Sequence, residues 1–198
     1  MKKQIAVTLV ILLALFFCLP VYAGVALDSV RTNVNKVLDV LRDPKLKGDS
    51  AKEIKKERLR LIYDQMFDSI ELSKRTLSRN WNKMTVDERK EFVHLFRQVL
   101  EKTYIDRIIA YTNEKIIYDK ESILSDNQAE VQTRIVTASK EIPITYRLIM
   151  KEGTWKVYDV VIENVSLVLN YRNQFNDILA KNAPEQLLEI LRKKVSGQ

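Results

Sequence analysis

The chain has 198 residues, of which 46% are hydrophobic and 30% charged, and a formal net charge of +7. One cysteine and one histidine leave too few soft ligands for a zinc site, and four glycines supply no glycine-rich phosphate loop. The basic balance suits nucleic acid, an anionic membrane or plain solubility, but no arginine-glycine tract, zinc spacing or RNP-like motif supports nucleic acid.

Residues 1–23 read as a signal peptide. Lys2 and Lys3 form a basic start, Ile5 to Leu19 an apolar run, and Val21-Tyr22-Ala23 a small-residue cleavage site. The run ends at Pro20 and is shorter than the roughly 20 residues a membrane helix needs. Phe16 and Phe17 before Cys18 do not suit lipid attachment to that cysteine. Cleavage after Ala23 would export residues 24–198 as a single domain with no thiol, and would remove two of the positive charges.

Ala26 to Arg42 is predicted as the first helix, with Leu27, Val30, Val34, Val37, Leu38 and Leu41 on one face. Asp43-Pro44 ends it, and Lys45 to Ser50 reads as a loop. Ala51 to about Leu77 is expected to be a second helical region with Leu59, Ile62, Met66 and Ile70 as its stripe. Its start carries Lys52, Lys55, Lys56, Arg58 and Arg60, either a solvated face or a surface for anionic headgroups or an acidic partner. Thr85-Val-Asp-Glu88 is a capping box. The helix that follows carries Phe92, Phe96, Leu100, Tyr104, Ile108 and Tyr111 in one continuous stripe, and Trp81 lies just before its cap.

From Glu114 the period turns to two. Lys115 to Lys120, Ala129 to Thr137, Ile142 to Met150 and Trp155 to Ile162 are expected to form an antiparallel meander of about four strands. Ser125-Asp126-Asn127, Ser139-Lys-Glu141 and Glu152-Gly153 are its connections. Pro143 points to an edge strand or a bulge. After Glu163 and Asn164 the helical period returns, with Val165, Val168, Leu169, Arg172, Phe175, Ile178 and Leu179 as its stripe. Asn182-Ala-Pro184 begins the last helix, with Leu187, Leu188, Leu191 and Val195 on its apolar side. The pattern is α+β, with helices packed on the sheet in two layers.

The run Trp155-x-Val-Tyr-Asp-Val-x-Ile-Glu-x-Val-Ser-Leu-x-x-Asn-Tyr-Arg-x-Gln-Phe175 resembles the signature of the MlaC family, also called the toluene-tolerance auxiliary family. Asn164 stands where that family commonly has glycine, and both tolerate a left-handed turn. A weaker likeness covers Trp81 to Tyr111. The resemblance implies a sheet of the NTF2-like or cystatin-like class and a periplasmic phospholipid carrier. It further implies two partners, an outer-membrane lipoprotein complex and an inner-membrane ABC transporter with an MCE-domain subunit.

No catalytic constellation stands out. A Ser-His-Asp triad would have to use His94, and Ser166 is not in a Gly-x-Ser-x-Gly elbow. Carboxylate chemistry at Asp159 or Glu163 stays open, as does pairing of either with Arg172. A lipid carrier needs no such chemistry. It must shield on the order of 30 methylenes at ~0.8 kcal/mol each, which calls for an apolar space between sheet and helices. The expected walls are Tyr104, Ile108 and Tyr111 from the long helix and Ile144, Tyr146 and Leu148 from the sheet. Val160 and Ile162 would come from the signature strand, Val168 and Phe175 from the helix after it. No cofactor and no metal are expected. The alternatives are a periplasmic interaction adaptor with a filled core and a small carboxylate hydrolase.

Overall fold

The computed structural model describes residues 24–110 and 114–198. The predicted signal peptide, residues 1–23, and Tyr111 lie outside them. Helix α1 (Val25–Arg42) ends at Asp43, where the Pro44 ring forbids continuation, and two short 3-10 turns at Pro44–Leu46 and Asp49–Ala51 replace the expected loop. The second helical region is two helices, α2 (Lys52–Met66) and α3 (Ser69–Leu77). The break has a physical cause. Phe67 leaves the helix to bridge Val157, the Asp68 N–H donates to the Val157 carbonyl at 2.9 Å, and the Asp68 side chain caps α3. Ile70 therefore leaves the expected stripe and is 59% exposed.

Helix α4 (Val86–Ile109) opens with the predicted capping box, Thr85 and Glu88 each accepting the other's backbone N–H. Strands β1 (Lys115–Ser125), β2 (Gln128–Val136), β3 (Glu141–Lys151) and β4 (Thr154–Ile162) form the meander, extended by a two-residue β5 (Val165–Ser166), in the order β1-β2-β3-β4-β5. Helices α5 (Leu167–Leu179) and α6 (Pro184–Ser196) follow. Pro143 sits on the central strand β3, not on an edge. The ladder with β4 ends at Ile144 and Ile162, so the missing proline donor falls just past the last pair, where the Pro143 carbonyl takes the Glu163 N–H instead. Glu163 and Asn164 both take positive φ, the paired left-handed conformation that matches the twist of a two-residue hairpin.

Three apolar clusters hold these elements. The first joins α3, α4, α5 and α6 around Phe92, Phe96, Tyr171 and Phe175, whose rings meet edge-on or tilted at 4.9–5.6 Å, the spacing aromatic pairs favour. The second lays Ala26, Val30 and Val34 of α1 on Ala129, Val131, Leu148, Trp155 and Val157 of the sheet. The third ties the end of α1 and α2 to Ile105 and Ile109 at the end of α4. The basic start of α2 is largely paired, through Lys52–Asp106, Lys56–Glu53, Arg58–Asp43 and Arg60–Glu101.

Candidate functional site

The sheet face under α1 is apolar in rows that cross the strands. Ala129, Leu148 and Val157 form the first row, Val131, Tyr146 and Val160 the second. Tyr118, Thr133, Ile144 and Ile162 form the third, Ile116, Ile135 and Ile142 the fourth. Cross-strand partners share a face, so these four rows are one continuous surface. Helix α1 buries Ala129, Leu148 and Val157 of the first row, while Ile123, which continues that row onto β1, is exposed. Val131, Thr133 and Ile144 of the next two rows are buried as well, and cover is incomplete around them. Tyr146 and Val160 are half-buried, Ile162 is 36% exposed, and the whole fourth row is half-buried.

Glu121 fixes where α1 stops covering the sheet. Its carboxylate accepts the backbone N–H of Gly24 at 3.2 Å and of Leu27 at 3.0 Å, a negative group at the positive end of the helix. The Ser29 hydroxyl adds a bond to the Trp155 carbonyl at 3.3 Å. Helix α4 packs chiefly on α3 and α6, so its apolar tail is not pressed onto the strands.

Two tyrosines give the open face polar points. Burial pushes the Tyr146 hydroxyl well above the usual tyrosine range, and the neighbouring Tyr118 adds to the effect. Tyr146 as a whole residue is half-buried, but its hydroxyl lies among protein atoms, and the position of the hydroxyl governs its titration. Tyr104 is raised as well, by burial first and then by Tyr171.

The predicted wall residues divide among these layers. Ile144, Tyr146, Leu148, Val160 and Ile162 do share the inner face of the sheet, although Leu148 is sealed beneath α1. Val168 and Phe175 belong instead to the packed helical cluster, and Tyr104 lies against that cluster. Ile108 is 41% exposed near the end of α4. The buried side of α5 is Val168, Tyr171 and Phe175, which leaves Val165 and Leu169 exposed. Periodicity missed Ile116, Ile135 and Ile142 as members of the open face. Their alternation was visible, but the pairing that aligns them was not.

Asp159 and Glu163 are not brought together. Asp159 is 2% exposed and accepts from the Ser166 hydroxyl at 2.7 Å, the Val168 N–H at 3.0 Å and Arg147 at 3.2 Å. Glu163 is exposed and meets Lys140. Arg172 pairs with neither carboxylate; it donates to the Arg75 carbonyl. His94 is exposed. Among the described residues no cluster suits a metal ion, and no helix is long and apolar enough to cross a membrane.

These features define an α+β protein in which α1 covers part of one face of an antiparallel sheet and leaves the rest of that face open, while α3 and α5 meet the other face. The chain belongs to the MlaC family, whose pattern matches residues 31–193. It is 25% identical over 176 residues to the toluene tolerance protein ttg2D of Pseudomonas putida, covering 88% of this chain and 82% of that protein. It is 27% identical over 127 residues to the intermembrane phospholipid transport system binding protein MlaC of Haemophilus influenzae. That alignment takes in 62% of this chain and spans 59% of the relative. The fold is shared with a phospholipid-binding protein of Ralstonia solanacearum solved with a phospholipid, at a TM-score of 0.76, 22% identity, 87% of this chain and 97% of that one.

Proposed function

We propose that this protein is a phospholipid carrier that shields acyl chains on the inner face of its sheet. The observation that carries the reading is the unfinished cover of that face. Around the buried Val131, Thr133 and Ile144, the residues Tyr118, Tyr146, Val160 and the whole fourth row are only half-buried, and Ile162 is exposed. A continuous apolar surface left open in this way is costly in water, and an acyl chain laid along it removes the cost from both partners. Tyr146, Val160, Ile144, Ile162, Ile135 and Ile142 would line the chains. The Tyr146 ring would border the chains, with its hydroxyl held among protein atoms beside Tyr118. Membership of the MlaC family supports the same ligand, as do the Haemophilus and Ralstonia relatives, both named for phospholipid.

The same reading gives a cellular setting. Residues 1–23 would be a cleaved signal peptide and residues 24–198 one domain acting in the periplasm. There it would pass lipid between an outer-membrane lipoprotein complex and an inner-membrane ABC transporter with an MCE-domain subunit. Such a carrier works by binding and release, with no bond made or broken and no cofactor.

The test is uptake of fluorescent phosphatidylglycerol or phosphatidylethanolamine from donor vesicles into the soluble fraction. A saturable, protein-dependent signal at one site per chain is expected. Failure to extract any lipid from vesicles and from detergent-free mixtures would overturn the proposal.

A further inference from the structure

A second concavity lies on the opposite face of the sheet, where α3 and α5 meet it. It is a crevice of about 340 Å³ whose floor carries Arg147, Tyr158 and Asp159 and whose wall carries Arg75 and Arg172. Its side chains are ordered by bonds to one another. Arg147 donates to Glu130 at 2.9 Å and to Asp159 at 3.2 Å. Arg75 donates to Glu71 at 2.8 Å and stacks 3.9 Å over the Tyr158 ring, a cation–π contact. Arg172 differs from both. Its Nε and Nη2 donate to the Arg75 carbonyl at 2.9 and 2.7 Å, and among the described residues no carboxylate pairs with it.

The charges at the crevice therefore leave one guanidinium uncompensated. Both carboxylates that line it are engaged by Arg147, and Asp159 is further saturated by the Ser166 hydroxyl and the Val168 N–H. Leu124 (55% exposed) and Leu169 (47%) flank this point. A fixed arginine bordered by exposed leucines has the chemistry of a protein–protein contact, where arginine and apolar anchors carry the binding energy. A membrane surface would call for an array of projecting cations, each adding about 1 kcal/mol, whereas this crevice has a single uncompensated one.

We infer that the crevice is a docking site for an acidic segment of a partner protein, with a carboxylate on Arg172 and an adjacent leucine-sized side chain between Leu124 and Leu169. Because it lies on the face of the sheet away from the apolar rows, a partner can be held there without entering the lipid face.

The experiment uses the mature protein and a fluorescein-labelled, C-amidated hexapeptide of alternating leucine and glutamate, followed by anisotropy. A leucine–glutamine hexapeptide and vesicles of phosphatidylglycerol are run in parallel. Saturable binding of the glutamate peptide is expected, weakened by about tenfold or more in Arg172→Gln, Leu169→Glu and Leu124→Glu and unchanged in Leu61→Glu on α2. Arg172→Gln also removes two bonds to α3, so the two leucine variants, which remove none, decide the matter if that protein does not fold. Equal binding of the glutamine peptide, no saturable binding, insensitivity to Leu169→Glu and Leu124→Glu, or crevice-dependent binding to the vesicles alone would each overturn the inference. Phospholipid content is measured in the same samples and is expected to be the same in all variants, so loss of docking is separated from loss of the carrier function.

Discussion

The Asp159 carboxylate takes the Ser166 hydroxyl at 2.7 Å, across the turn that joins β4 to α5. Ser166 in turn caps α5 by accepting the Leu169 N–H at 3.1 Å, so one buried acid sets the exit of the strand and the start of the helix together. The acid and the serine of the signature run thus form a structural joint.

Removing the acid should be costly. Asp159→Ala leaves Arg147, the Ser166 hydroxyl and the Val168 amide short of a partner, and breaking a buried pair from one side typically costs ~3–5 kcal/mol. Arg147 is itself partly exposed, which places the expected loss near the lower end of that range. Urea unfolding should show a lower midpoint with an unchanged slope, and Asp159→Asn should lose less because the amide oxygen still accepts. A loss below about 1 kcal/mol, the size of one ordinary hydrogen bond, would contradict this role.

The inner face and the helical core should respond differently. Val160→Arg and Ile162→Arg place a charge on the open rows. A charge among acyl chains costs on the order of 2–3 kcal/mol, so phospholipid affinity should fall by roughly two orders of magnitude while circular dichroism stays native. Phe175→Ala opens the aromatic cluster instead, with an expected loss of ~3–5 kcal/mol of stability and unchanged lipid per folded molecule. If the Phe175 variant folds and loses lipid selectively, the helical cluster lines the ligand after all.

Alkaline pH should destabilise the protein. Free tyrosine ionises near pH ~10, and burial raises Tyr146, Tyr63, Tyr104 and Tyr158 above that. Above the unfolded value the native state holds protons that the unfolded chain has released. The stability these groups contribute is therefore complete below about pH 10 and is lost as pH rises through their folded values. Thermal melts from pH 8 to 11.5 should show the fall, and Tyr146→Phe should make it shallower. An equally steep fall in Tyr146→Phe would assign the effect to other groups.

Processing should add an ion pair. Cleavage after Ala23, as proposed, turns the Gly24 nitrogen, 3.2 Å from Glu121 Oε1, into an ammonium. Glu121→Gln should therefore lower the melting temperature of protein beginning at Gly24 more than that of protein retaining residues 1–23. Equal effects would show that the helix N–H bonds alone explain Glu121.

Much of the fold was legible in the sequence because its signals are local. The Thr85–Glu88 box, the Asp43-Pro44 stop and the alternation of β2 and β3 all act within a few residues. Local signals failed where a distant element decides. The break between α2 and α3 exists because Phe67 and Asp68 bond to Val157, and the partner of Arg172, open between Asp159 and Glu163 in the sequence, is the Arg75 carbonyl across the helix pair. Alternation marks a face, so Ile144, Tyr146, Leu148, Val160 and Ile162 do fall on one side of the sheet, whereas Val168 and Phe175 belong to a stripe packed on other helices.

The central claim is that the open face carries phospholipid, and mass spectrometry of lipids extracted from protein purified without detergent tests it most directly. About one phospholipid per chain, reduced in Val160→Arg, is the result this account predicts. Protein free of lipid that also takes none from vesicles would contradict it, and would mean that the apolar rows serve packing alone.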